Sequence, residues 1–397
     1  MKFSHAFAPA NSAWFTPFAR WQGPFAEVSS VDLAVDAANR AFDERGIDRS
    51  AFGMLVLGQS IPQRNSFYAA PTIAAKIGAP GISGPAIAQA CATSAACIAY
   101  AAAAVELGEQ KPVLVLTTDR TSNGPLLVFP HPSAAGGAPV AEHWVLESFA
   151  RDPWAGFSML ETAEFVAEEE SISRAEMDEL TTLRYAQYDN ALANDRAVQR
   201  RAMVPVDIKR GKKDTTTIDG DVGVTPTSAQ ALANLKPVRG DGRITYGTQT
   251  HPADGAAGLT IATRERAREA ANGGGVVQIL ATAFTRVEKA RMPKAPVFAA
   301  RAALAEAGLT IADIDVVTTH NPFAVNDVYF TRELNFAAER MNPYGCSLVW
   351  GHPQGPTGLR SIAELALALE ARGGGVGLFT GCAAGDSSGA VIVRYDG

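Results

Sequence analysis

The chain has little cysteine, little charge and no long apolar run. Its 397 residues include four cysteines, at positions 91, 97, 346 and 382. None forms a Cys-x-x-Cys pair, which argues against a disulfide framework or a zinc ribbon. The thiols read as reduced, in a cytoplasmic protein. Charged residues make up 19% and the net charge is −6. With no large basic run, nucleic acid is not an expected partner. No segment approaches the uninterrupted apolar length that crosses a bilayer, so no membrane span is expected. The first ten residues are too short and too broken by proline for a secretory signal. What is left is an ordinary globular composition, 47% hydrophobic, long enough for about two or three domains.

What is present centres on residues 87–97. Cys91 stands where a turn of small residues enters an alanine-rich helix that stops near Gly108. A helix start offers unpaired N–H groups and a positive dipole end. Both favour the thiolate, the reactive form of cysteine. A cysteine among Ala, Ile and Thr also reads as a small buried hydrophobe, so this stretch alone leaves both readings open.

Residues 30–46 carry apolar side chains at helical spacing, a serine cap and a glycine stop. A short buried-strand run follows at 54–57, then a helix near 68–77, the Cys91 helix and a strand at 113–118. From Arg120 to about Asp241 the texture changes. Proline, glycine and aromatic residues crowd positions 125–153, with Phe129, His131 and Trp144 there and Trp154 just beyond. Ser173-Arg-Ala-Glu176 has capping-box form ahead of a long helical region. The basic cluster at 209–213 suits a phosphate or a solvated loop equally. This section reads as an insertion that lies over the core and shapes a substrate mouth. Glycine runs at 273–275 and 373–375 precede strands, not helices, so they read as linkers and not as phosphate cradles.

The last third repeats the first. The helix at 299–308 and the strand at 315–319 mirror residues 38–46 and 54–57. The same offset carries Cys91 onto Pro353, inside Gly351-His-Pro-Gln-Gly-Pro-Thr-Gly358. That run also opens a helix, 359–371, and a strand follows at 376–380. One offset for five elements indicates an internal duplication. Helices alternating with buried strands then give two α/β halves with mixed sheets, and equivalent turns can face one site. Cys91 and His352 occupy the matching helix starts. His320 follows one strand and Cys382 follows the last, where α/β sites form. Two cysteines and two histidines suggest a metal, but ligand spacing is absent and none is expected. Cys97 and Cys346 read as core.

Gln89-Ala-Cys91-Ala-Thr-Ser, Gly351-His-Pro-Gln-Gly-Pro-Thr-Gly358 and Gly381-Cys382, in this order, resemble three motifs of the thiolase family. These are its nucleophile motif, its Gly-His-Pro-x-Gly-x-x-Gly motif and its second reactive cysteine. Asp254-Gly-Ala256 and residues 158–164 resemble segments of the loop domain that covers coenzyme A in that family. The resemblance spans nearly the whole chain. It implies a layered α/β fold of two duplicated halves, residues 1–120 and 251–397, with 251–275 completing the first half. The loop domain is then inserted at 121–250.

The implied activity is that of an acetyl-CoA C-acyltransferase. It cleaves 3-ketoacyl-CoA with coenzyme A, or runs the reverse Claisen condensation, through an acyl-cysteine. Cys91 is the implied nucleophile, with His352 as general base and Cys382 as acid and base at the α-carbon. His320 is the implied donor to the enolate oxygen. The backbone N–H groups of Cys91 and Ala384 make a second donor pair. Met159, Thr250 and Phe323 are the implied contacts to the coenzyme A substrate. No permanently bound cofactor is implied, and the family forms dimers or tetramers.

Several positions depart from the common pattern. His320-Asn-Pro-Phe323 stands where many members have Asn-Glu-Ala-Phe, and resembles the lipid-carrier type of thiolase. Cys382-Ala-Ala384 replaces Cys-x-Gly, and Gly345-Cys346 replaces a glycine pair. His251 stands where glycine is common. Val224 aligns with an arginine that holds the nucleotide. Two alternatives come with these departures. One is a ketosynthase, which would replace Cys382 by histidine or asparagine. The other is a weakly catalytic or non-catalytic subunit that binds acyl-CoA or lipid.

Overall fold

Two sheets built to one plan carry the molecule. In the computed structural model, residues 1–210 and 214–397 are described. Beyond Lys209 and the backbone of Arg210, the basic cluster expected at 209–213 lies outside them. The first half contains β1 (Phe7–Pro9), β2 (Trp14–Phe15), β3 (Ala19–Arg20), α1 (Ser30–Arg45), β4 (Met54–Gly58), α2 (Ala69–Lys76), β5 (Ala86–Ile87), α3 (Thr93–Glu106) and β6 (Val113–Arg120). Next come β7 (Leu126–Phe129), β8 (Val140–His143), α4 (Leu146–Ala150), α5 (Met159–Glu169), α6 (Arg174–Ala202), β9 (Val206–Arg210), β10 (Asp214–Ile218) and α7 (Ala229–Ala233). Then follow β11 (Ala253–Ile261), α8 (Arg264–Ala271), β12 (Val276–Arg286), α9 (Ala295–Ala307), β13 (Val316–His320), α10 (Ala324–Leu334), α11 (Ser347–Trp350), α12 (Pro356–Ala371), β14 (Gly375–Ala383) and β15 (Ser387–Asp396).

Local sequence explains the boundaries. Ser29 caps α1 by accepting from Val31 N–H, and Gly46 ends it with φ 65°. Gly308 ends α9 in the same way, with φ 70°. Ser173 and Glu176 form a full capping box at α6, and Ser158 and Glu161 do the same at α5.

The duplication is visible in the pairing. In one sheet the order β11-β6-β4 has β4 parallel to β6 and β11 antiparallel to β6. In the other, β15-β14-β13 repeats it, with β13 parallel to β14 and β15 antiparallel. Both sheets are therefore mixed, as the alternation of elements indicates. α3 and α12 are sandwiched between them, and their small and apolar side chains join both sheets in one core. Enclosed between the sheets, α12 is buried at every residue from Pro356 to Leu369, Arg360 and Glu364 included. α1 and α2 cover the outer face of the first sheet, and α9 and α10 cover that of the second. The result is five layers.

Buried ion pairs fasten the segment after β6 to this core. Asp221 grips the Arg360 guanidinium through both oxygens, at 2.6 and 2.8 Å, and Glu364 adds a third contact at 3.0 Å. Phe15, Phe18 and Trp350 enclose the same cation, with ring centroids 4.7, 4.8 and 4.2 Å away. Arg184 on α6 pairs with Asp327 on α10 at 2.9 Å, both fully buried.

Three sequence expectations need correction. Asp254 does not belong to a cover; it lies in β11, buried, accepting from Ser122 N–H. Cys382 is inside β14 and not after the last strand, because β15 follows. His320 is the final residue of β13 and not the first beyond it.

Candidate active site

Cys91 sits in a tight turn, not in the helix it precedes. Ala90 adopts φ 44°, a left-handed conformation that a side chain disfavours. Thr93 stabilises the turn, donating from its hydroxyl to Ala90 O at 2.7 Å and accepting from Gln89 N–H at 2.9 Å. α3 begins only at Thr93. The residue as a whole is half-buried, and its thiol faces inward. Burial of its surroundings pushes it up to about 12, against the backbone N–H groups of Ala384 and of Cys91 itself. The thiolate expected from a helix start is therefore not the resting form, because desolvation outweighs a dipole felt only within the first turn.

The protonated thiol has a base beside it. Cys91 Sγ lies 3.1 Å from His352 Nε2. His352 Nδ1 lies 2.6 Å from Thr357 Oγ1 in the first turn of α12. With Nδ1–H donating to Thr357, Nε2 presents its lone pair to the thiol. Burial, reinforced by His320, holds His352 well below the usual histidine range, so it is neutral. The thiol also approaches Gln354 Oε1, at 3.2 Å.

The two helix starts are held together by reciprocal contacts. Asp119, at the end of β6, accepts from Gly355 N–H at 2.8 Å in the other half. It also takes both Ser60 donors and Ile61 N–H, at 2.7–2.9 Å. A Cβ on Gly355 would stand 2.8 Å from Asp119 Oδ2, so glycine is required there. Ser94 in α3 donates to Gly355 O and accepts from Leu359 N–H. Burial nonetheless pushes the Asp119 carboxyl up to about 7.

His320 and Cys382 stand behind this pair. The His320 ring stacks on His352 with centroids 3.9 Å apart and planes at 23°. Its Nδ1 meets Ser347 Oγ at 2.9 Å, and its Nε2 has no partner among the described residues. Burial pushes it down to about 3. Asp327 braces the following turn, accepting from Thr319 Oγ1, Asn321 Nδ2 and Arg184 at 2.8–2.9 Å. Cys382 is fully buried. It accepts from Asn326 Nδ2 at 3.3 Å, and its thiol is raised well above its ordinary value, first by burial and then by Cys91. One donor atom each of Cys91, His320 and His352 lies within 4.8 Å of the others. The duplication offset foretold that Cys91 and His352 face one site, though no metal-ligand spacing marked the cluster.

A cavity of about 240 Å³ opens on Cys91 and His352, and Met159, Thr250, Phe323 and Ala384 share its wall. All of the sequence-derived contact residues therefore meet there. Thr250 Oγ1 donates to Ser347 O at 2.5 Å. A second hollow, about 580 Å³, shares Gln249 and Pro252 with the first. Arg20, Trp21, Tyr246 and His251 line it.

Asp119, Asn326, Ser347 and Gln354 escaped the sequence reading. Only Gln354 carried a signal, since it stands in the Gly351–Gly358 run.

Comparison with known proteins agrees with this arrangement. The family model described as "Thiolase, N-terminal domain" matches residues 11–265, and "Thiolase, C-terminal domain" matches 275–395. The chain is 28% identical to an acetyl-CoA acetyltransferase of Escherichia coli over 96% of its length and 98% of that protein. It is 36% identical to the peroxisomal 3-ketoacyl-CoA thiolase A of Mus musculus, over 59% of the chain and 57% of that enzyme. The crystal structure of the Bacillus anthracis acetyl-CoA acetyltransferase superposes with a TM-score of 0.91, at 25% identity and full coverage of both chains. The chain shares its fold with acyltransferases, the acetyl-CoA acetyltransferase just described among them. The chain belongs to the thiolase family.

Proposed function

We propose that the protein cleaves 3-ketoacyl-CoA with coenzyme A, or runs the reverse condensation, with Cys91 carrying the acyl group. The observation that carries this reading is the 3.1 Å contact between Cys91 Sγ and His352 Nε2. His352 takes the thiol proton as Sγ attacks the 3-keto carbon. The N–H groups of Cys91 and Ala384 receive the developing oxyanion. The C2–C3 bond breaks and its electron pair passes into an enolate of acetyl-CoA. His320 donates to that enolate oxygen from Nε2, a tautomer supported by the Ser347 hydroxyl at Nδ1. Cys382 delivers a proton to C2, with Asn326 Nδ2 steadying the thiolate left behind. Incoming coenzyme A returns a proton to Cys382 and attacks acyl-Cys91, which leaves as a thiol with the proton from His352.

The pantetheine arm runs past Met159, Thr250 and Phe323, and the nucleotide reaches the hollow beyond Gln249. Arg20 there can meet a phosphate that Val224 cannot, and Trp21 and Tyr246 offer faces for the base. Residues 121–250 act as the loop domain over this arm. The chain works as a homo-oligomer in the cytoplasm, in fatty acid metabolism. The open edge of β5 and the exposed Phe67 and Tyr68 are the surface for self-association. No helix among the described residues is long and apolar enough to cross a membrane. The test is mass spectrometry after incubation with acetoacetyl-CoA. An acetyl adduct on Cys91, absent in Cys91→Ala, is expected; no adduct with any acyl chain would refute the reading.

A further inference from the structure

A third cavity, about 430 Å³, opens on the far side of Gln354. It shares Phe149, Gln354 and Ala384 with the reaction cavity, so the two meet beside Cys91. Its outer wall is aromatic, formed by Trp144, Phe149 and Trp154. A polar anchor fixes one of these rings. Trp144 Nε1–H donates to Ser60 O at 3.0 Å. Asp152 ties down the segment that carries Trp154, accepting from its backbone N–H at 2.8 Å and from Gly385 N–H at 3.1 Å. A wall fixed in this way is pre-organised, which lowers the ordering cost of binding.

Gln354 stands at the junction and is only 4% exposed. Its Oε1 faces the Cys91 thiol, yet its Nε2 has no partner among the described residues. A buried donor left unmet is costly, and here it borders the place where an acyl carbonyl would stand. The charged residues on the cavity wall are both acids, Glu142 and Asp152. Arg286 and Lys289 lie over the Trp154 ring, at 5.0 and 5.5 Å, but do not line the cavity.

We propose that this cavity is an acyl subsite for aroylacetyl-CoA, a 3-ketoacyl-CoA whose keto group bears an aromatic ring. This rests on the thiolytic reading given above. The ring packs against Trp144, Phe149 and Trp154, where flat faces suit offset or edge contacts. Gln354 Nε2 donates to the 3-keto oxygen. A chain ending in a carboxylate meets Glu142 and Asp152 and is disfavoured.

The test is thiolysis by the full chain of benzoylacetyl-CoA, acetoacetyl-CoA, 3-ketooctanoyl-CoA and 3-ketoadipyl-CoA. For the unaltered protein, kcat/KM with benzoylacetyl-CoA is expected to exceed that with 3-ketooctanoyl-CoA and 3-ketoadipyl-CoA by about tenfold or more. Trp144→Ala is expected to lower the benzoylacetyl-to-acetoacetyl ratio by about tenfold, while Trp144→Phe retains most of it. Gln354→Met is expected to lower kcat/KM with all four substrates, since each carries the 3-keto oxygen. Cleavage of acetoacetyl-CoA with no aryl preference, or a ratio that Trp144→Ala does not move, would overturn the subsite and leave thiolysis standing. No acyl adduct on Cys91 with any of the four substrates would remove both.

Discussion

Cys91 Sγ and His352 Nε2 lie 3.1 Å apart across the interface of the two halves, and both groups rest uncharged. Burial raises the thiol and lowers the imidazole, so each disfavours the ion pair. The proton then moves only when an electrophile takes the developing charge. Asp119 and Ser94 maintain the separation by clamping the Gly355 turn of one half to the other half.

This arrangement has a kinetic signature in alkylation. With the thiol pushed up to about 12, the iodoacetamide reaction at Cys91 should quicken steadily between pH 6 and pH 9. His352→Ala should slow it at neutral pH by about 100-fold, the scale of general-base assistance. A pH-independent rate across that range would instead reveal a resting thiolate–imidazolium pair. Peptide mass spectrometry of Cys91 over time measures either outcome.

Cys382 depends on Asn326, a neighbour it meets only in the folded chain. Asn326→Ala should leave the acylation burst at Cys91 intact and lower steady-state turnover by about tenfold or more, since the proton transfer at C2 loses its support. Rapid-quench measurement separates the two steps. Equal loss in both would assign Asn326 to the nucleophile side instead.

The halves were legible in sequence because their signals are local. Gly46 and Gly308 stop matching helices at positive φ, and buried strands repeat at one offset. Cys91, His352, His320 and Cys382 stood out because each marks the end of such an element. Asp119 did not, since its meaning depends on Gly355 in the other half. Asn326 and Ser347 are ordinary polar residues until the fold brings Cys382 and His320 to them. The thiolate expected at Cys91 failed for a related reason. A dipole is readable from a helix start, whereas desolvation is set by everything packed around it. Asp254 was misplaced because a short Gly-Ala motif reads the same in a cover as in a core strand.

Titration inside the site should show opposing contributions to stability. His320 is pushed from 6.5 to about 3, so the stability it lends is complete above about pH 6.5 and is lost as pH falls towards 3. Asp119 and Glu364 are both pushed up to about 7. Their contribution has the opposite sign: it is complete below the ordinary carboxyl range and is lost as pH rises through 7. His320→Asn removes one side of this balance. Between pH 6 and pH 4 its unfolding free energy should gain on the parent by about 1.4 kcal/mol per pH unit. Asp119→Asn should lose ground over the same acidification. Urea unfolding at several pH values tests both, and parallel curves for parent and His320→Asn would refute the assignment.

Asp221 supplies the last test, because it joins the segment after β6 to the core at the buried Arg360 cation. Its carboxylate holds Arg360 through two bonds, accepts from Phe18 N–H at 2.8 Å and takes the Tyr188 hydroxyl at 2.9 Å. Asp221→Ala strands most of the Arg360 charge among Phe15, Phe18 and Trp350. Breaking one side of a buried pair costs about 3–5 kcal/mol, and that loss is expected in urea unfolding. Glu364→Gln removes the weaker contact and leaves the two bonds to Asp221, so its cost should be clearly smaller. Because Asp221 lies in the segment that flanks the hollow proposed for coenzyme A, its loss should also raise KM for coenzyme A more than it lowers kcat. Equal destabilisation by the two variants would refute Asp221 as the principal anchor.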